Sequence, residues 1–327
     1  MGDQATPGES PVRLQCAGWK SAVGADMFQR LINRRGRSMP SPTRIANQYL
    51  TVDVSSLGAE MQALTTSDGR SWLWNGDAAF WGGRSPILFP MVGKAPGDTI
   101  VIDGESYPMS QHGFARRAEF TLAVSTGTAC RYELAASQAT RAVYPFDFLL
   151  AVEHSVEGRT LTVAAEVYNR DQRPMPFGIG FHPAFVWPLP TAAGRDHVVT
   201  LDNGGEPDLV RVEGGLIAPA KLASPFRAGR LVLDHAMFEE DAMIFPEGAG
   251  NGLRYGADDG PTMHFHFDNL PNLALWQKPG APFICIEPWH GTAAEKNGSN
   301  DLAKRPFSKV LAPGASARFA FSVEVAE

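Results

Sequence analysis

The sequence predicts an all-β fold: one large antiparallel β-sandwich in a single domain. Segments in which apolar and polar residues alternate recur along most of the chain, and glycine- and proline-rich connections separate them, as at 206–207 and 248–252. No helical period persists long enough to build the β–α–β units of a parallel sheet. The 327 residues could form two domains, but no linker divides the chain after residue 44.

Three segments justify the strand prediction individually. The apolar runs at 148–152 and 160–167 flank Glu157-Gly158-Arg159, which is typical of a β-hairpin. Near the C-terminus, residues 318–325 alternate so that two phenylalanines and two valines share one face. Residues 263–267 alternate aromatic or apolar side chains with histidines in the same way.

Residues 1–43 differ from the rest of the chain and predict an N-terminal extension that is loop or disordered. They contain scattered prolines and the basic run 34–37. The extension could result from an upstream start, with Met39 as the true initiator, or it could be a basic arm that binds an anionic partner. The predicted folded domain covers residues 44–327.

Composition excludes several classes of protein. The net charge of −6 and the isoelectric point near 5.8 argue against a general nucleic-acid binder. No apolar stretch is long enough for a membrane span or a signal-peptide core. The three cysteines are too few and too widely spaced for a disulfide framework or a CxxC metal site. We therefore expect a cytoplasmic protein with neither a nucleic-acid nor a membrane partner.

Two apolar segments each carry one group that suits proton transfer. The segment 283–289 predicts a buried strand that brings the carboxylate of Glu287 into a cleft. In the segment 177–183, Gly178 and Gly180 share a face with His182, and glycines in a strand often mark close approach of a ligand or another backbone. Glu287 could instead cap a turn or pair with an arginine, and His182 could be a core histidine.

Other candidate residues give weaker signals. His112 and Arg84 lie in predicted loops, and Asp241 follows two glutamates in what could be a solvated acidic turn. His264 and His266 could share one metal ion, but no third and fourth ligands lie nearby in the sequence, so we predict no metal site. Phosphate-binding glycine motifs are absent from the sequence, and no cofactor is expected.

Five segments in order resemble the aldose 1-epimerase (galactose mutarotase) superfamily, in particular its branch of LacX-like bacterial proteins. They are residues 84–90, 111–116, 180–185, 238–245 and 285–289. Each segment is weak alone, but the set in this order is specific, and the resemblance extends from about residue 44 to the C-terminus. It implies a β-supersandwich with a sugar cleft on a concave sheet face.

The resemblance also implies roles for individual residues. It implies that Glu287 is the general base and His182 the general acid of a cofactor-independent isomerase. Arg84, His112 and Asp241 match residues that hold sugar hydroxyls. Hydroxyl discrimination would depend on the loops around Asp241 and on the indoles of Trp276 and Trp289. For catalysis near neutral pH, we expect Glu287 to be ionised and His182 to be protonated in the productive state.

Two alternatives remain open from the sequence. A hexose-6-phosphate epimerase would need an arginine or lysine at the far end of the cleft, and Arg84, Lys94, Arg116 and Arg117 are available. A carbohydrate-binding or sugar-sensing protein would keep the cleft without catalysis, although the intact Glu287 and His182 argue against it. The expected partner in each case is a small sugar, and the sequence leaves the oligomeric state open.

Overall fold

Strands carry almost all the regular structure of the described residues, which are Gly2 and 41–326 of the computed structural model. In chain order the strands are β1 Thr43–Ala46, β2 Leu50–Val54, β3 Met61–Thr66, β4 Ile87–Leu88, β5 Thr99–Ile102, β6 Glu105–Pro108, β7 Thr121–Ser125, β8 Ala129–Ala135, β9 Phe148–Glu157, β10 Thr160–Asn169, β11 Met175–Phe177, β12 Ile179–Phe181, β13 Ala184–Val186, β14 His197–Leu201, β15 Val212–Glu213, β16 Leu216–Ile217, β17 Arg230–Val232, β18 Met243–Phe245, β19 Gly252–Ala257, β20 Thr262–Asp268, β21 Asn272–Trp276, β22 Phe283–His290, β23 Lys309–Leu311 and β24 Ser316–Ala326. Helical structure in these residues is limited to the α-helical turn Gln138–Arg141 and to 3-10 turns at Pro96–Asp98, Ala115–Arg117, His235–Phe238 and Leu302–Lys304. None of these helices is long and apolar enough to cross a membrane.

Two large antiparallel sheets form the body of the fold. The nine-stranded sheet runs in the order β17-β14-β19-β20-β24-β10-β9-β8-β7. The six-stranded sheet runs β18-β21-β22-β12-β4, and β13 also pairs with β22. A three-stranded sheet, β1-β2-β3, and three two-stranded ribbons complete the described strands. The predicted all-β antiparallel fold is confirmed.

The sequence patterns explain the strand register. The predicted hairpin forms β9 and β10, which pair from Glu157 with Thr160 through to Phe148 with Asn169. The alternating apolar residues of β20 and β24 are buried, and the histidines between those of β20 are exposed. Because side chains in a strand point to opposite faces, each strand presents one apolar face to the core.

Aromatic contacts join the inner faces of the two large sheets. Phe181 on β12 meets Phe321 on β24, with ring centroids 5.1 Å apart. Phe185 on β13 meets Phe265 on β20, also at 5.1 Å. Ile284 and Ile286 on β22 belong to the same buried cluster. The core therefore lies between the sheets, and the opposite side chains of β22 point to the outer face of the six-stranded sheet.

This outer face carries the candidate site. Phe283 and Cys285 pack there in a small apolar cluster, and Glu287 follows them on the same side of β22. Residues Ser41–Glu327 form one compact unit. The predicted extension at 1–43 lies almost entirely outside the described residues, and its boundary stays a prediction.

Candidate active site

A cavity of about 310 Å³ opens on the outer face of the six-stranded sheet. This volume lies at the lower end of the range for small-molecule sites, so it suits a compact ligand. The lining residues come from strands and from the loops that cover them: Trp81, Gly93, Gln111, His112, Arg116, His182, Val212, Gly215, Asp241, Ala242, Ile244, Trp276, Glu287, Trp289 and Ala293.

Glu287 stands at the floor of the cavity. It lies on β22 opposite Ala274 of β21, and it is 1% exposed. Burial raises the pKa of the Glu287 carboxyl well above its ordinary value of 4.5, and the negative charge of Asp241 adds to this effect. Its Oε2 lies 3.3 Å from His182 Nε2. A carboxyl group with a raised pKa is a strong base when it is ionised.

His182 follows β12 and faces Glu287 across the floor. Its imidazole is 8% exposed. Burial, with the charge of Arg116 as a smaller cause, lowers the pKa of His182 from 6.5 to about 3. The cationic imidazole is therefore a strong acid, because its surroundings favour loss of the proton.

The sequence-based expectation of an ionised Glu287 and a protonated His182 in the productive state stays a prediction. Burial disfavours both charged forms, since charges are poorly solvated away from water. The neutral arrangement, with the proton on Glu287, holds the same number of protons as the ion pair. The two states thus differ by one proton transfer over the 3.3 Å contact.

Four cavity-lining side chains have a buried polar atom without a well-formed hydrogen bond among the described residues: Glu287 Oε2 (3.3 Å from His182 Nε2), His182 Nδ1, Trp289 Nε1 and Arg116 Nε. Buried polar atoms are normally hydrogen-bonded, so a cluster of partnerless ones calls for an explanation. A ligand that presents several hydroxyl groups would satisfy both donors and acceptors of this kind.

The structure brings His112, Asp241 and Trp276 to the same cavity. His112 Nδ1 accepts a hydrogen bond from the Gly93 backbone N–H at 3.1 Å. Burial lowers the pKa of His112 well below 6.5, so the ring is neutral and carries its proton on Nε2. Asp241 lies in a turn with φ +67° and is exposed on the rim.

The structure does not bring Arg84 to the cavity wall. Its Nε donates to the backbone carbonyl of Asn75 at 2.8 Å, and its Nη1 bonds the side-chain oxygen of Gln62. The guanidinium also packs against Gly76, where a Cβ would approach its Cζ to 2.9 Å. Because these partners hold the side chain outside the cavity, a sugar-binding role for Arg84 has no geometric support here.

The space beside His182 is also filled differently from the prediction. A Cβ added at Gly180 would overlap the indole of Trp289, so this glycine makes room for a side chain rather than for a ligand. Sequence reasoning assigned no role to Trp81, which lines the cavity next to His182. The available signal was its position before Gly82-Gly83, where a flexible backbone can fold beneath a large ring.

One cluster of metal-ligand type occurs in residues 41–326. Ligand atoms of His182, Cys285 and Glu287 lie within 4.8 Å of one another. Metal binding by cysteine requires the thiolate. Burial and the neighbouring Glu287 raise the pKa of the Cys285 thiol well above 9. The Cys285 thiol is therefore neutral near pH 7.

Comparison with known proteins identifies the family. The aldose 1-epimerase family profile matches residues 43–323. This chain belongs to the aldose 1-epimerase family. The LacX protein of Lactococcus lactis is 28% identical over 281 residues, which cover 82% of this chain and 94% of LacX. The resemblance to the LacX-like branch of aldose 1-epimerases is thus confirmed.

Solved structures of related proteins share the fold. A galactose mutarotase related enzyme from Lactobacillus acidophilus superimposes with a TM-score of 0.81 and is 26% identical, covering 88% of this chain and 97% of its own. A galactose mutarotase-like protein from Lactobacillus casei gives a TM-score of 0.78 at 27% identity, covering 87% of this chain and 100% of its own. The predicted mutarotase-like β-sandwich is confirmed by both.

Proposed function

We propose that this aldose 1-epimerase family member is a mutarotase that interconverts the α and β anomers of a hexose without a cofactor. The observation that carries the proposal is the contact between His182 and Glu287 at the floor of the cavity. It joins one base and one acid at 3.3 Å in surroundings that strengthen both. Anomer exchange needs one proton removed and one proton added.

The reaction follows from these two groups. Glu287 accepts the proton of the anomeric hydroxyl while the His182 cation donates its proton to the ring oxygen. The C1–O5 bond breaks as the C1 carbonyl forms, and rotation about C1–C2 turns the other carbonyl face towards the ring oxygen. Closure reverses both proton transfers and gives the second anomer.

The buried environment assists ring opening. Opening converts the ion pair into a protonated Glu287 and a neutral His182, which is the arrangement that burial favours. Sugar hydroxyls near the partnerless polar atoms would stabilise the ion pair before the reaction. A positioned acid or base of this kind contributes about 10² to 10⁴ in rate.

The test is anomer exchange in freshly dissolved α-glucose, α-galactose and glucose 6-phosphate, followed by polarimetry or NMR. Exchange should exceed the spontaneous rate, and Glu287→Gln and His182→Asn should each lower kcat by about 10² or more. Glu324→Gln and His266→Asn are matched controls, because both native residues are exposed on strands away from the cavity. These controls should retain wild-type exchange.

Other outcomes would contradict the proposal. Sugar-induced changes in tryptophan fluorescence with no acceleration of exchange would favour a carbohydrate-binding protein. If neither the exchange rate nor the tryptophan fluorescence changed, the ligand would not be a simple hexose.

A hexose 6-phosphate is the second candidate substrate, because Arg116 lines the cavity with an unpartnered Nε. Arg117 follows it and bonds Ser110 Oγ at 3.0 Å. Arginine binds phosphate through paired N–H groups. If the substrate is phosphorylated, Arg116→Gln should raise KM for glucose 6-phosphate and leave KM for glucose unchanged. Equal effects on both sugars would argue against a phosphate contact.

A further inference from the structure

The indole of Trp81 covers one face of the His182 imidazole. The two rings are stacked, with centroids 4.9 Å apart and planes inclined by 27°. Trp276 meets both rings edge-on, at 5.6 Å from Trp81 and 5.7 Å from His182. The imidazole therefore sits in a corner between two indoles.

Packing, rather than a hydrogen bond from another described residue, surrounds the second ring nitrogen of this histidine. A histidine that transfers protons is usually oriented by a hydrogen bond to its second ring nitrogen. A hydrogen bond to the backbone carbonyl of His182 itself raises the pKa of the ring slightly against the effect of burial. No other described residue supplies a hydrogen-bond partner for Nδ1. The ring orientation that points Nε2 at Glu287 is thus maintained by packing.

The loop that carries Trp81 is built to hold the indole in place. The Trp81 backbone N–H donates to the Asp77 carbonyl, and its own carbonyl accepts from Trp74 Nε1, both at 2.9 Å. A Cβ at Gly83 would overlap the indole, so the chain can turn directly beneath the ring only at a glycine. The neighbouring residues 77–80 are exposed, so Trp81 is the part of this loop that reaches the site.

We propose that Trp81 is a positioning residue for the general acid: it fixes the imidazole plane of His182 and excludes water from that face. This proposal rests on the proposed mutarotase function. It goes beyond the assignment of acid and base, because it places the control of His182 in a loop that is remote in sequence from the segments that carry His182 and Glu287. A displacement of about 1 Å at a reacting group can lower the rate about 10²-fold.

Four other titratable or charged groups of the described residues lie close enough to His182 to influence its pKa. Glu287 Oε2 lies at 3.3 Å, and the Cys285 sulfur lies within 4.8 Å. The His112 ring lies 5.7 Å away between centroids, and Arg116 contributes a positive charge. Trp81 supplies no charge. Its removal should therefore act through hydration, and the pKa of His182 should rise towards 6.5 as water enters.

The test compares Trp81→Ala with Trp81→Phe, and Phe80→Ala is the matched control. Phe80 is the adjacent, 38% exposed aromatic residue, and it does not line the cavity. The first readout is an NMR titration of the histidine rings of the free protein, with His182→Asn used to assign the resonance. Trp81→Ala should raise the pKa of His182 by about one unit or more, and Trp81→Phe should restore most of the shift.

The second readout separates kcat from KM. Trp81→Ala should lower kcat about 10- to 100-fold with a smaller change in KM, and Trp81→Phe should recover most of kcat. An unchanged His182 titration, or a rise in KM alone, would overturn the proposal and make Trp81 a sugar contact. Since the titration needs no turnover, it tests the role of Trp81 even if the wild type proves inactive. If the alanine variant fails to fold, Trp81→Leu keeps an apolar side chain but cannot stack on His182, so a raised His182 pKa with reduced kcat in that variant supports the proposal and a wild-type titration and kcat overturn it.

Discussion

The protein should lose much less stability in mild acid when His154 is replaced with leucine. His154 lies on β9, is 2% exposed and is opposite Cys130 and Val163 on the neighbouring strands. Its Nδ1 has no hydrogen-bond partner among the described residues. Burial lowers the pKa of His154 from 6.5 to about 4. Leucine fills a similar volume and does not titrate.

The sign of the effect follows from proton binding. The unfolded chain protonates His154 near pH 6.5, but the folded protein resists protonation until about pH 4. The free energy of unfolding therefore falls as the pH is lowered through this window. The difference between the two pKa values corresponds to about 3 kcal/mol once protonation is complete, and to about 2 kcal/mol between pH 7 and pH 5.

Urea unfolding at pH 7, 6 and 5 measures this contribution directly. The wild type should lose about 2 kcal/mol more than His154→Leu between pH 7 and pH 5. Other titrating groups, His182 included, are common to both proteins and cancel in the comparison. His266→Asn, at an exposed position on β20, should follow the wild type. Parallel curves for wild type and His154→Leu would refute the reasoning.

Three further predictions concern the site and its supporting turns. Gly180→Ala should push the Trp289 indole from the cavity wall and lower kcat/KM for the sugar about tenfold or more, and unchanged kinetics would show that the indole is not needed there. Gly113→Ala should destabilise the fold by about 3 kcal/mol in thermal unfolding, because φ is +72° and a Cβ would overlap backbone. Gly104→Ala is the control, because Gly104 has a similar φ of +85° but open space around the added Cβ. If it lost as much stability as Gly113→Ala, the whole effect would come from φ and none from the overlap. Asp241→Asn removes a charge that raises the pKa of Glu287. Because Glu287 has the higher pKa of the pair, the falling limb of kcat/KM against pH should move to lower pH, and an unmoved falling limb would exclude this coupling.

The sequence predicted those parts of the fold that depend on local pattern. The period of two in β20 and β24 determined which side chains are buried, and the turn around Gly158 determined the pairing of β9 with β10. The alternation along β22 also predicted that Glu287 shares a face with Phe283 and Cys285. These features follow from neighbours in the chain, so a single sequence is sufficient to predict them.

Features that depend on contacts between distant segments could not be predicted. The Trp289 indole fills the space at Gly180, and the bonds of Arg84 to Asn75 and Gln62 keep its guanidinium outside the cavity. The loop of Trp81 has no periodicity that would point its ring at the site. Burial acts against both charges of the acid–base pair, and the depth of burial is a property of the assembled fold.

The position of β24 has a consequence for how the protein is made. Among the strands of residues 41–326 it comes last in the sequence, yet it lies between β20 and β10 in the middle of the nine-stranded sheet. While a ribosome is still synthesising residues 316–326, β10 and β20 each expose an unpaired edge. Such edges favour association with other chains, and long-range pairings of this kind form slowly. Aggregation of the nascent protein is therefore favoured until β24 has emerged and paired with both neighbours.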